Sequence, residues 1–432
     1  MSSVTSKDNS ARPPSAPSSS QRLVSLDQFR GYTVVGMLLV NYFGGYQVCP
    51  QVLEHTNDYC SYADTIMPQF LFAVGFALRL TFGRRMQTQG SFAAYGRMIR
   101  RLLGLVLISV VIYNVSPRAA NWEQLSQMTW VEIFGEPMKR GWYQTLMHIA
   151  VTSLWILPVV QRPPKVRILW MLASGGLHVA LSYWFNFAWT NTAPNAIDGG
   201  PLGFLTWCIP AIVGTLACDY FVPPKGEVAT NARGRSTRYV LLWSAALMLS
   251  GYALSCGTRL YDFNESQPGS QAAGAAATEL VSDPVWPTPE RWKVKIAEAK
   301  LIDWFAEPPF VKPPEKTLIP PAQSARKWNY WMMSQRAGTL SYLVFTAGFS
   351  LLVFSGFYVA CDVYKWHLPV FRTFGTNALV AYIIHMLVDN AVQPFFPKDS
   401  PVLIAYLGLA IYFLVTWLFV KQLEKQGAFL KV

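Results

Sequence analysis

About ten stretches of this chain are apolar for long enough to cross a lipid bilayer, a feat that takes roughly 17–25 residues each. They cover residues 26–46, 62–82, 102–115, 143–160, 168–188, 202–222, 239–256, 338–360, 374–390 and 402–420, the third being the shortest. Such a pattern makes the chain an all-α, polytopic membrane helix bundle of about ten transmembrane helices. Composition agrees, since 52% of the 432 residues are hydrophobic and only 14% are charged. A soluble domain would carry about 25% charged residues. The 16 Trp and 20 Tyr suit rings anchored at the level of lipid headgroups.

An even number of crossings puts both ends on one side, and the basic residues then sort by loop. Arg79, Arg84, Arg85, Arg97, Arg100 and Arg101 lie between runs two and three; Arg162, Lys165 and Arg167 follow run four. Lys225, Arg233, Arg235 and Arg238 follow run six, Lys365 and Arg372 follow run eight, and Lys421, Lys425 and Lys431 end the chain. The short odd-numbered connections hold only Arg118, Lys139, Arg140 and Lys398. The excess of Lys and Arg on cytoplasmic loops places both termini in the cytoplasm. The net charge of +12 is then a topology signal, and no nucleic-acid partner is expected.

Residues 1–21, rich in Ser, Pro and Ala and without an apolar core, read as a disordered cytoplasmic tail and not as a signal peptide. Residues 22–256 hold helices one to seven, and residues 337–432 complete the same membrane domain with helices eight to ten. Between them, residues 257–336 form a long, Pro-rich, extracytoplasmic insertion, a length exempt from the charge rule. Its "PERWKVKIAEAKLIDWF" segment suits an amphipathic helix on the membrane surface or over a cavity, and "PGSQAAGAAAT" reads as flexible. A lid and a plain solvated insertion are both open. The six cysteines have no metal-ligand spacing, so no metal is expected. Cys49 and Cys60 share the first external loop, where a disulfide and two free thiols are equally open.

This orientation gathers polar side chains at one depth near the outer face. Asn41 ends run one, His55 follows in the external loop, and Asp64 opens run two. Gln144 and His148 lie four residues apart on the outer turns of run four, on one helical face. Asn377 and His385 lie on run nine, and Asp198 lies in the external "IDGGPLGF" loop. Ionisable groups within crossings are costly and usually face a bundle interior or a wet cavity. Each also has a bland role: a solvated loop histidine for His55, a helix N-terminal acid for Asp64, interhelical hydrogen bonds for Asn377 and His385, packing for His148. His178 and His367 carry no supporting pattern, and Asp27 and Arg30 suit a pair near the interface.

At these residues the chain resembles the heparan-α-glucosaminide N-acetyltransferase family of polytopic membrane acyltransferases, as a divergent prokaryotic-type member. The resemblance is carried by "RLVSLDQFRGYTVVGMLLVNYFGG", the His-containing loop and "ADTIMPQFLFAVGFAL", then by "GWYQTL", "IDGGPLGFLTWCIPAIVGTLACD" and "SYLVFTAGFSLLVFSGFYVACDVYKWHLPVFRTFGTNALVAYIIH". It excludes the tail and the insertion. It implies transfer of an acetyl group from cytoplasmic acetyl-CoA to an amino sugar or glycan across the membrane, expected to be a bacterial inner membrane. His55 would be catalytic with Asn41 and Asp64; Asn377, His385, Gln144 and Asp198 would contact substrate. Which arginines bind coenzyme A is not given by the resemblance, and a homodimer stays open. Where the family places Trp and Gly after the histidine, this chain has Thr56-Asn57-Asp58-Tyr59-Cys60, and Thr145 stands where Arg usually follows the helical Gln.

The chemistry suits these side chains. An amine attacking a thioester must lose a proton, and a neutral imidazole is the natural base; a covalent acetyl-imidazole is the other route. Asp64 or Asp58 would orient His55, and Asn41 would donate to the developing oxyanion. A solute transporter is the alternative reading, weakened by the lack of a clear internal repeat or of obviously broken helices.

Overall fold

The computed structural model describes residues 23–113, 119–222, 237–261, 280–281, 283–311 and 328–430. The N-terminal tail, Arg118, Lys225, Arg233, Arg235, the "PGSQAAGAAAT" segment and Lys431 lie outside them. Among the described residues there is no β-strand, only an isolated bridge between Leu280 and Trp328. A lipid environment demands this, because helices satisfy their backbone groups within one segment.

In chain order the helices are α1 (Val24–Phe43), α2 (Ile66–Gln89), α3 (Ser91–Tyr113), the short α4 (Trp122–Gln127) and α5 (Trp130–Glu136), and α6 (Thr145–Ile156). Then follow α7 (Pro164–Leu181), α8 (Phe187–Asn191), α9 (Phe204–Phe221), α10 (Thr237–Ser255) and α11 (Pro289–Glu298). Finally come α12 (Leu340–Tyr358), α13 (Pro369–Thr376), α14 (Ala378–Val392) and α15 (Val402–Lys425).

Every apolar run contains a helix, and 7 helical stretches are long and apolar enough to cross a membrane. The other three runs depart for identifiable reasons. In α1, Asp27 and Arg30 dilute the apolar stretch. Helix α3 starts at Ser91, well before residue 102, because Arg97, Arg100 and Arg101 are good helix formers that a hydropathy reading discards. Helix α6 has 12 residues, about 18 Å at 1.5 Å each, short of the roughly 30 Å hydrocarbon core. Run nine is also not continuous. It breaks at Asn377 (φ −124°, ψ 40°) between α13 and α14, after the weak helix formers Gly375 and Thr376.

Two glycine crossings bring backbones together. A Cβ on Gly31 would overlap the carbonyl of Phe371, and one on Gly375 would overlap that of Asp27, so α1 and α13 touch main chain to main chain. Gly75 against Ala211 and Gly214 against Phe72 do the same for α2 and α9. Small residues allow this approach where lipid offers no hydrophobic drive for helix association. A polar clamp adds to it. The fully buried Arg167 of α7 donates to Thr215 Oγ1 at 2.8 Å and to Asp219 on α9. Arg79 of α2 donates to Asp219 at 2.6 Å and to Gln161 at 2.7 Å.

Helices α7, α10 and α15 are peripheral and leave Leu169, Leu172, Leu242, Trp243, Leu403 and Phe419 exposed, as lipid-facing surfaces do. The described part of the insertion packs over the ends of α10 and α12. Tyr252 donates to Ala306 O at 2.7 Å, Tyr261 to Asp283 O at 3.0 Å, and Phe310 N to Cys60 O at 2.7 Å. Within it, α11 forms on the predicted amphipathic segment.

Candidate active site

The loop between α1 and α2 folds back on itself, with Tyr62 N bonded to Val52 O at 3.1 Å. This turn presents His55 directly over Asp64, which is buried in the turn that opens α2. One carboxylate oxygen of Asp64 meets His55 Nδ1 at 2.9 Å. The other accepts from Ser61 N, Ser61 Oγ and Thr56 Oγ1, each at 3.0 Å. A carboxylate only accepts, so Nδ1 carries the proton and Nε2 keeps its lone pair. The carboxylate is itself immobilised, and the ring inherits its orientation.

The far edge of His55 lines a cavity of about 200 Å³. Its side chain is 49% accessible, against 1% for Asp64. On one wall stand Asp198 and Gln335, joined by a 3.0 Å bond from Gln335 Nε2 to Asp198 Oδ1. Also in the lining, Asn41 and His385 meet at 3.3 Å between Nδ2 and Nε2. Tyr382 sets its ring edge-on against His385, and its hydroxyl bonds that of Tyr113. Gln144 and Thr145, at the start of α6, complete the lining.

Asp198 owes its position to a tight turn. It and the following Gly199 and Gly200 all have positive φ, which an aspartate tolerates better than most residues. Its carbonyl accepts from Trp207 Nε1 at 2.7 Å, and Gly199 N bonds Arg336 O at 2.9 Å. Burial lifts its carboxyl to about 6; the Asp64 charge adds to this, while Gln335 and His55 oppose it. For His55, burial disfavours charging, but the bond and charge of Asp64 outweigh it, with help from Asp198 and Gln335. The imidazole is held above its ordinary value.

His55, Asn41, Gln144, Asp198 and His385 thus converge on one cavity, with Asp64 behind His55. Asn377 does not line it. It sits at the α13–α14 break, buried, eight residues before His385 and about 12 Å lower along the helix. His148 is buried, packed between Tyr143 and Trp207 beneath the Asp198 loop. His178 bonds Tyr330 at 2.8 Å, and His367 lies on the exposed α12–α13 turn. Cys49 and Cys60 are both free thiols. Among the described residues no group of His, Cys, Asp and Glu is arranged to hold a metal.

The sequence assigns no site role to Gln335, Tyr113 or Tyr382, and it marks Thr145 only as a departure from the family. Tyr382 carried a signal, since it lies three residues before His385 and residues three apart on a helix share a face. Gln335 carried no signal, lying at the end of an insertion with no recognisable pattern.

A second, larger recess of about 630 Å³ lies at the other ends of the same helices, lined by Asp27 and Arg30 of α1, Arg84 of α2, Arg101 of α3 and Ser153 of α6. The two spaces come close. On α2 their linings end at Phe70 and Val74, and on α6 at Thr145 and Ile149. Four residues of helix are about 6 Å.

A family model for the catalytic region of heparan-alpha-glucosaminide N-acetyltransferase matches residues 22–252, more than half of the chain. The chain belongs to that family. No curated protein sequence matches it. Membership in a membrane N-acetyltransferase family, together with the apolar helices, makes this an integral membrane protein. The family match contains His55, Asn41, Asp64, Gln144 and Asp198; Gln335, Tyr382 and His385 come from chain beyond it.

Proposed function

We propose that this protein moves an acetyl group from cytoplasmic acetyl-CoA to an amino sugar or glycan on the opposite side of a bacterial inner membrane. The observation that carries this is the His55–Asp64 pair, set at a cavity that nearly meets an arginine-bearing recess at the other end of the same helices. Ten crossings with both termini cytoplasmic fit the distribution of Lys and Arg.

Arg30, Arg84 and Arg101 suit the phosphates of coenzyme A, each as a charge-assisted donor. The pantetheine arm would then run between α2 and α6 toward His55. The amine attacks the thioester carbonyl while Nε2 removes its proton; the C–S bond breaks as the N–C bond forms, and the thiolate leaves to be protonated. Asn41 uses one N–H on His385 and has a second to offer the developing oxyanion, a type of contact worth roughly 3–4 kcal/mol. Ionised Asp198, anchored by Gln335, suits an acceptor that arrives as an ammonium and would take its first proton, leaving a neutral amine to attack.

The test is radiolabelled acetyl-CoA and glucosamine with the purified protein in detergent. Label should reach the amine in the native protein and not in His55→Ala. Coenzyme A that neither binds the protein nor protects it from heat would refute the reading.

A further inference from the structure

The insertion contains a helix turned inside out. On α11, Arg291 and Lys295, one turn apart, face the protein: Arg291 lies over the Tyr261 ring and pairs with Asp283 at 3.1 Å, and Lys295 lies over the Trp304 ring at 6.0 Å. The apolar pair Trp292 and Ile296 faces away, Ile296 being 67% exposed. The next turn continues this outward apolar face with Leu301, 78% exposed, and with Ile302 and Phe305. A water-facing helix has the opposite arrangement.

The position of this face identifies what covers it. Phe310 closes the segment by packing its ring, tilted, against Phe345 and Phe349 of α12, at 5.8 and 5.3 Å. Phe349 is nine residues into α12, about 13 Å along its axis. The Phe310 backbone is held at the outer loop by Cys60 O, and its ring reaches down beside a membrane-crossing helix. Arg259, just beyond α10, donates to Asp303 O at 3.1 Å and fixes the segment against the end of α10, whose own flank is lipid-facing. Lys293 and Lys300 are exposed along its edge, where phosphate headgroups would lie.

We propose that the Trp292–Phe305 face is an interfacial anchor embedded in the bilayer leaflet on the His55 side, with Lys293 and Lys300 at its phosphate headgroups. The anchor fixes the insertion, whose final described segment brings Gln335 to Asp198.

Spin labels test this on the full-length protein in nanodiscs of phosphatidylcholine with phosphatidylglycerol, in a Cys256→Ser background. Labels at Ile296→Cys, Leu301→Cys and Phe305→Cys should be relaxed several-fold more by oxygen than by a water-soluble nickel chelate. A label at Glu290→Cys, on the opposite side of α11, should show the reverse preference. Nickel access at 296, 301 and 305 equal to that at 290 would overturn the proposal. Exclusion of both agents with strong spin–spin broadening would overturn it too, by assigning the face to a second copy of the chain.

Discussion

Asp64 holds His55 by Nδ1 at 2.9 Å while its other oxygen is held by Ser61 and Thr56, so a fully buried acid orients a half-exposed base. The two residues therefore respond differently to mutation. His55→Ala is expected to lower acetyl transfer by roughly 100- to 10,000-fold, the range of a general base, with little change in thermal stability. Asp64→Ala leaves several donors unpaired in the core and is expected to cost about 3–5 kcal/mol as well as activity. Thermal unfolding monitored by size-exclusion separates the two; equal melting of both variants would contradict this division.

The pH dependence follows from the neighbours of His55. Its imidazole is held above its ordinary value by Asp64 and, more weakly, by Asp198, against the effect of burial. The ascending limb of kcat/KM should lie on the alkaline side of about 6.5, the free imidazole value. Asp198→Asn should move that limb to lower pH, because one raising charge is gone. A limb that stays in place would show that Asp198 does not act on this titration.

Asp198 also makes a stability prediction. Burial lifts it to about 6, so the folded state is favoured while the acid is protonated and loses this advantage as pH rises through that value. The loss from an ordinary value of about 3.9 is on the order of 3 kcal/mol. Asp198→Asn should therefore melt higher than the native protein at pH 8 and equally near pH 4, measured in the same detergent.

Gln335 links the insertion to the site through its 3.0 Å bond to Asp198. Gln335→Ala leaves that buried carboxylate short of one donor, worth about 1–3 kcal/mol. The expected result is a roughly 5- to 150-fold loss in kcat/KM for the amine acceptor, with the KM for acetyl-CoA unchanged. Gln335→Glu, which offers no amide donor, should not rescue it.

The arginines of the larger recess should show the converse pattern. Arg30→Ala or Arg101→Ala is expected to weaken acetyl-CoA roughly 10- to 100-fold, the value of one charge-assisted contact, with the acceptor KM unchanged. Isothermal titration with coenzyme A reads this directly.

The fold was legible because the lipid solvent leaves few solutions: apolar runs had to become helices, and they did. What hydropathy obscured was where a helix carries charge or breaks, as in the arginine-rich start of α3 and the kink at Asn377. The candidate site was legible where a polar side chain ends, opens or lies within an apolar run, as Asn41, Asp64 and His385 do, and at His55 in the loop between two runs. It was illegible where a common residue acquires its role by placement alone. Tyr113 looks like any interfacial tyrosine, and Gln335 stands within a stretch whose neighbours in space, Asp198 and His55, are far away in the chain.

The glycine crossings bear on how the passage between the recesses opens. Where α1 meets α13 and α2 meets α9, carbonyls fill the room a side chain would need, leaving no slack for sliding or tilting. Those four helices make a stiff frame. Helix α3 buries few side chains and its chief partner is the short α6. Motion that widens the space between the recesses is then expected on the α3 side, and a crosslink tying α3 to α2 should slow turnover while crosslinks within the frame leave it running.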